Sequence, residues 1–102
     1  MHQDILRNVT DLKQKYQSLG FLIIGVFGSQ ARGDFTQKSD IDVLYDLDKS
    51  FLKNFSGWSA ISKIESIKEE MKSVLGLEVD LASADNNSKT FQNSIKNELI
   101  YV

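Results

Sequence analysis

Seven consecutive apolar residues, Phe21-Leu22-Ile23-Ile24-Gly25-Val26-Phe27, closed by Gly28-Ser29, constrain this chain more than any other feature. The run is short and rich in β-branched and aromatic side chains, so it reads as a strand buried on both faces. Gly25 inside it signals a bulge or close packing. A second strand signal is of another kind. From Asp40 to Asp48 the chain alternates, with Ile41, Val43, Tyr45 and Leu47 on one face and Asp40, Asp42, Leu44, Asp46 and Asp48 on the other. Leu77-Glu78-Val79-Asp80-Leu81 alternates again and predicts a third strand.

Helices fill the remainder. Ile5, Val9, Leu12 and Tyr16 make one apolar stripe, and Gly20 suits the left-handed position beyond its end. Residues 29–39 turn small and polar, which fits one helical turn and a loop. Lys49 to Gly57 reads as a connector. Trp58 to Leu75 is a helix marked by Ile61, Ile64, Ile67, Met71 and Val74 and stopped by Gly76, with Lys63, Lys68 and Lys72 on its solvated face. Trp58 and Tyr45 are expected in the core. A last helix is expected from about Lys89, with Phe91, Ile95 and Leu99 four apart. The order predicts an α/β (α+β) chain whose small, mixed three-stranded sheet is packed by helices. A single domain over 1–102 is expected, since 102 residues leave no room for a second core.

Composition excludes several classes. A formal net charge of −2 argues against indiscriminate nucleic-acid binding, which wants a basic face. There is no cysteine, hence no disulfide or thiolate metal site. The longest apolar stretch is far too short to span a bilayer and no secretory signal is visible, so a cytoplasmic location is expected. His2 is given no role.

The chemistry lies in Gly28-Ser29 followed ten residues later by Asp40-Ile41-Asp42. A buried strand that ends in Gly-Ser and opens a helical turn presents unpaired backbone N–H groups, a seat for phosphate oxygens. Asp40 and Asp42 leave one face of their strand, about 6–7 Å apart, and can converge on one cation or a cation pair. Hard carboxylate oxygens suit Mg²⁺ or Mn²⁺ shared with a triphosphate. Two such ions stabilise the attacking and leaving oxygens of an in-line displacement. A third carboxylate is wanted. Asp46 lies roughly 13 Å from Asp42 along the strand, and Asp48 further. Glu78 and Asp80 share a face of the third strand, and a neighbouring strand could bring either beside the pair; Asp80, flanked by apolar residues, is favoured. Asp85 belongs to a turn cluster. Arg32 has two readings, a brace for the triphosphate or a partner for Asp34. A calcium loop is excluded, because Leu44 takes a ligand position and Tyr45 stands where the turn glycine belongs.

Gly28-Ser29-Gln30-Ala31-Arg32-Gly33-Asp34 and Ser39-Asp40-Ile41-Asp42-Val43 resemble the signature of the DNA polymerase β-type nucleotidyltransferases, in particular their minimal (MNT) branch. Leu77 to Leu81 resembles the strand that carries the family's third carboxylate, and Ile95 to Val102 the branch's closing helix. The resemblance implies a nucleotidyltransferase fold in which Ser29, with Gly28, contacts the terminal phosphates of ATP. It also implies that Asp40 and Asp42 hold both metals and that Asp80 holds one and helps activate the acceptor hydroxyl. Gln30 departs from the arginine or tyrosine found there in many members of the branch.

The branch also implies an antitoxin that transfers AMP from ATP to a tyrosine of a partner HEPN ribonuclease toxin, in a hetero-oligomer with it. Two other expectations compete: an antitoxin that neutralises the toxin by docking alone, and a subunit of a small-molecule nucleotidyltransferase.

Overall fold

The computed structural model describes residues 3–27, 41–85, 89, 92–93 and 99–102. In chain order its elements are α1 (Gln3–Gln17), β1 (Phe21–Phe27), β2 (Ile41–Leu47), α2 (Lys49–Asn54), α3 (Trp58–Leu75), β3 (Val79–Ser83) and β4 (Ile100–Tyr101). The sheet is four-stranded and mixed, in the order β3-β2-β1-β4, with β2 parallel to β3 and the other pairs antiparallel.

The alternation in β2 decides which side of the sheet is covered. Ile41 and Val43 are fully buried, together with Phe21, Ile23 and Val26 of β1 and Val79 of β3. Against them pack Val9, Leu12 and Tyr16 of α1 and Ile67 and Met71 of α3. β1 meets the demand of its continuous apolar run by a bulge: the register shifts between Ile23 and Gly25, leaving Ile24 as the extra residue. The bulge reverses side-chain parity. Phe21, Ile23 and Val26 therefore all face the helices, while Gly25 and Phe27 join Leu44 and Asp42 on the opposite face.

An aromatic cluster closes the end of the sheet where α1 enters. Phe21 stacks on Tyr45 at 4.8 Å between centroids, meets Tyr16 edge-on at 6.2 Å, and lies 6.3 Å from Phe51. The Tyr16 hydroxyl donates to Glu70 of α3, and Lys15 donates to the same carboxylate oxygen at 2.6 Å. Burial, then the bond to Glu70, pushes the Tyr16 phenol above its ordinary range.

Four expectations are corrected. The stretch from Lys49 is a helix rather than a connector, because Asp48 caps it: its carboxylate accepts from the Ser50 and Phe51 backbone N–H groups at 2.9 and 3.1 Å. Gly20, at φ +87°, packs so closely on this cap that a Cβ there would lie 2.6 Å from the Phe51 nitrogen. The chain closes in a strand rather than a helix, since Ile100 and Tyr101 pair with Val26 and Gly25 along an edge of β1. The sheet thus has four strands, not three. Lys89, Gln92 and Asn93 are helical, and the rest of the expected last helix up to Glu98 lies outside the described residues. β3 begins at Val79 rather than Leu77 and runs to Ser83. Finally, Trp58 is 82% exposed rather than core, and Ile61 and Val74 of the expected stripe are exposed too, because none of the described elements covers that side of α3.

Two predictions follow from local geometry. A Cβ at Gly25 would run into the Ile100 carbonyl and lie 2.9 Å from Leu99 Cδ1. Gly25→Ala should therefore destabilise the fold by about 1–3 kcal/mol and loosen β4, seen as faster amide exchange at Val102, whose N–H bonds Ile24 O at 3.2 Å.

The hydrogen bond from Ser50 Oγ and the N–H of Phe51 hold the Asp48 carboxyl below its usual range. Its folded value thus lies beneath its unfolded one, so its contribution is complete above about pH 4 and is lost as pH falls through the folded value. Asp48→Ala should have a lower Tm than the parent at pH 7, by a margin that shrinks as pH is taken below about 4.

Candidate active site

Asp42 stands near the start of β2, half-buried, on the face turned away from the helices. Its register partners on either side are Phe27 of β1 and Asp80 of β3. Neighbouring strands lie about 4.7–4.9 Å apart, and partners in register direct their side chains to the same face. Asp42 and Asp80 are therefore adjacent carboxylates on one face of the sheet. Asp80 is exposed. Phe27, beside Asp42, is the last described residue before Gly28-Ser29 in the sequence.

Gly28, Ser29, Arg32, Asp34 and Asp40 lie outside the described residues. Among the described residues no three His, Cys, Asp or Glu side chains converge as a metal site. The Asp42–Asp80 pair supplies two hard oxygen donors side by side, which suits a divalent cation of the Mg²⁺ class if a third ligand comes from Asp40 or from a triphosphate.

The other acidic candidates are occupied elsewhere. Glu78 precedes β3, is exposed, and pairs with Lys72 at 3.2 Å; its backbone carbonyl accepts from Ile41 at 2.9 Å. Asp46 pairs with Leu22 further along the sheet, and its carboxylate accepts the N–H of Leu47 at 2.8 Å. Asp48 caps α2. Asp85 lies in the turn after β3, where its N–H donates to Ser83 Oγ at 3.2 Å.

One residue of this face escaped the sequence reading. Tyr101, expected on a helix, pairs with Gly25 on β4 and so shares the face of Leu44 and Asp42, with 75% of its surface exposed. Its aromatic character at a strand-like Ile-Tyr pair was the available signal. A groove of about 350 Å³ between α1 and α3, lined by Asn8, Asp11, Leu12, Lys15, Glu70 and Val74, lies on the helical side and holds neither Asp42 nor Asp80. No helix among the described residues is long and apolar enough to cross a membrane.

Residues 7–102 match the family model described as "Polymerase beta, Nucleotidyltransferase". The protein adenylyltransferase MntA of Thermococcus cleftensis is 30% identical over 90 residues, covering 88% of this chain and 83% of that one. MJ1379 of Methanocaldococcus jannaschii, named as a candidate protein adenylyltransferase, is 37% identical over 92 residues, covering 89% and 83%. Among solved structures, a candidate minimal nucleotidyltransferase superposes with a TM-score of 0.73 at 22% identity, over 100% of this chain and 97% of that one. A toxin–antitoxin structure with AMP-PNP superposes with a TM-score of 0.66 at 16% identity, over 93% of this chain and 69% of that one. Both likenesses concern the fold.

Proposed function

The chain belongs to the polymerase β-type nucleotidyltransferase family, and we propose that it is a protein adenylyltransferase that moves AMP from ATP to a tyrosine of a HEPN-type ribonuclease toxin. The observation that carries this reading is the register of Asp42 with Asp80, two carboxylates on one sheet face beside the strand that precedes Gly28-Ser29. The protein acceptor is supported by relatives named as protein adenylyltransferases, and the toxin by the fold's likeness to a toxin–antitoxin structure.

In this reading Gly28 and Ser29 seat the terminal phosphates of ATP, with Arg32 as a further contact for the triphosphate charge. Asp40, Asp42 and Asp80 would hold Mg²⁺ or Mn²⁺, which would neutralise the triphosphate charge and stabilise the departing pyrophosphate. The acceptor's phenolic oxygen attacks the α-phosphorus. A new P–O bond forms as the bond to the β-phosphate oxygen breaks, and pyrophosphate leaves. Asp80, the exposed member of the pair, takes the phenolic proton and passes it to solvent. The rest of the chain works by position: β2 and β3 set the spacing of the carboxylates, and the packed helices behind them fix it.

The test uses ATP labelled separately at the α- and γ-phosphates, with Mg²⁺ and the purified HEPN protein. The α-label should pass to the HEPN protein and the γ-label should not. Transfer of the γ-label, or of neither, would remove nucleotidyl transfer to that protein as the activity.

A further inference from the structure

The chain carries three tyrosines, and their phenols meet different fates. Tyr16 is buried among the helices and donates its hydroxyl to Glu70. Tyr45 faces the helical side of β2 and stacks on Phe21. Tyr101 is largely exposed and lies on β4, paired with Gly25. β1 in turn sets Gly25 beside Leu44, which is two residues along β2 from Asp42. Partners in register share a face, as do alternate residues of a strand, so Tyr101 and Asp42 leave the same side of the sheet.

Two strand spacings across and two residues along put their Cα atoms about 12 Å apart. A line between them crosses β1 at Val26, whose side chain is fully buried on the other face. That distance is within the combined reach of a phenol on one side and, on the other, a carboxylate, a cation about 2 Å beyond it and a phosphate on that cation.

Tyr101 is also a fixed group rather than part of a fraying end. Ile100 before it pairs with Val26, and the N–H of Val102 after it donates to Ile24 O at 3.2 Å. Lys13 of α1 donates to Val102 O at 2.5 Å, so the strand is tied to the layer behind it as well. Leu99 fills the space over Gly25 where a cross-strand ring would otherwise lie, since a Cβ there would be 2.9 Å from Leu99 Cδ1. The Tyr101 ring is thereby kept off β1, in keeping with its exposure.

We propose that Tyr101 is an AMP acceptor within the chain itself. The inference rests on the reading of the chain as an adenylyltransferase that uses a phenol as acceptor, and the chemistry is the same. Tyr101 Oη attacks the α-phosphorus of bound ATP. A P–O bond forms as the bond to the β-phosphate oxygen breaks, pyrophosphate leaves, and the phenolic proton passes to solvent. Donor site and acceptor are held on one sheet, so the transfer is intramolecular and its rate constant is independent of protein concentration.

The experiment incubates the full chain with α-labelled ATP and Mg²⁺, with and without the purified HEPN protein, beside Tyr101→Phe and Asp42→Asn. Tyr101→Phe keeps the ring and removes the attacking oxygen. In the parent, label should enter the chain itself at a rate constant that does not change with protein concentration, and peptide masses should place AMP on Tyr101. Tyr101→Phe should lose its own label, keep the parental Tm and still label the HEPN protein. Asp42→Asn should lose both labels.

A parent chain that stays unlabelled overturns the proposal, as does AMP found on another residue or a label undiminished in Tyr101→Phe. A rate constant that rises in proportion to concentration overturns it in favour of a second copy as acceptor. The two readings fail separately. A labelled HEPN protein beside an unlabelled chain refutes self-modification and leaves adenylyl transfer to the partner standing. A chain labelled on Tyr101 beside an unlabelled HEPN protein supports self-modification and removes that protein as acceptor.

Discussion

Asp42→Asn is expected to lower AMP transfer by at least about a thousandfold while leaving the fold intact. The substitution keeps the side chain's size and its place between Phe27 and Asp80, removes the charge and turns one acceptor oxygen into a donor. A carboxylate that holds a divalent cation on a triphosphate supports several kcal/mol of charge stabilisation, and each 1.4 kcal/mol is about tenfold in rate. The loss should appear in kcat and kcat/KM together, since the interaction is strongest as charge moves onto the leaving pyrophosphate. Asp80→Asn should also fall steeply, and its residual rate should rise with pH as the acceptor phenol ionises without help. Circular dichroism and Tm of both variants should match the parent. A parental rate in Asp42→Asn would remove this carboxylate from the chemistry.

Phe21→Ala should bring the largest loss of stability. Phe21 is fully buried at the start of β1, stacked on Tyr45 and touched by rings from α1 and α2. Truncating a buried phenylalanine costs about 3–5 kcal/mol, more than half of what a small fold near the lower end of roughly 5–15 kcal/mol possesses. For a chain of this size Tm should fall by more than about 12 °C. Phe21→Leu fills most of the space and should lose clearly less. Urea unfolding of the three proteins measures both differences, and a loss below about 1 kcal/mol in Phe21→Ala would contradict the central place given to this ring.

Local periodicity made much of this fold legible. The alternation of β2 told its buried face from its acidic one, and Gly76, at φ +68° with its N–H on Lys72 O, ends α3 where the sequence placed the stop. Gly25 was marked as unusual, and it proves to be both a bulge position and the site of Ile100's approach. What stayed hidden depends on long-range pairing. β4 is two residues long and exists only because β1 offers an open edge, 74 or more residues earlier in the chain. α2 has six residues, too few to show a period, and its cap Asp48 looked like one more member of the acidic alternation. Trp58 and Ile61 obey helical spacing, yet spacing reports which residues share a face and not whether a layer covers it.

The candidate site divides in the same way. Alternation predicted one face for Asp40 and Asp42, of which Asp42 lies among the described residues, and it put Glu78 and Asp80 on a shared face, with Asp80 favoured for its apolar neighbours. The parallel register then sets Asp80 beside Asp42, and register is a property of the assembled sheet. Glu78 falls outside β3 and spends its charge on Lys72.

The central claim, that this fold adenylylates a protein tyrosine, meets its most direct test in the mass of the partner. The HEPN protein co-expressed with the parent chain, or with Asp42→Asn, is purified and analysed intact and as peptides. The account predicts whole AMP units on a tyrosine of the partner in the first sample and an unmodified partner in the second. A partner that stays unmodified beside the parent chain, or that carries the same adduct beside Asp42→Asn, would contradict it.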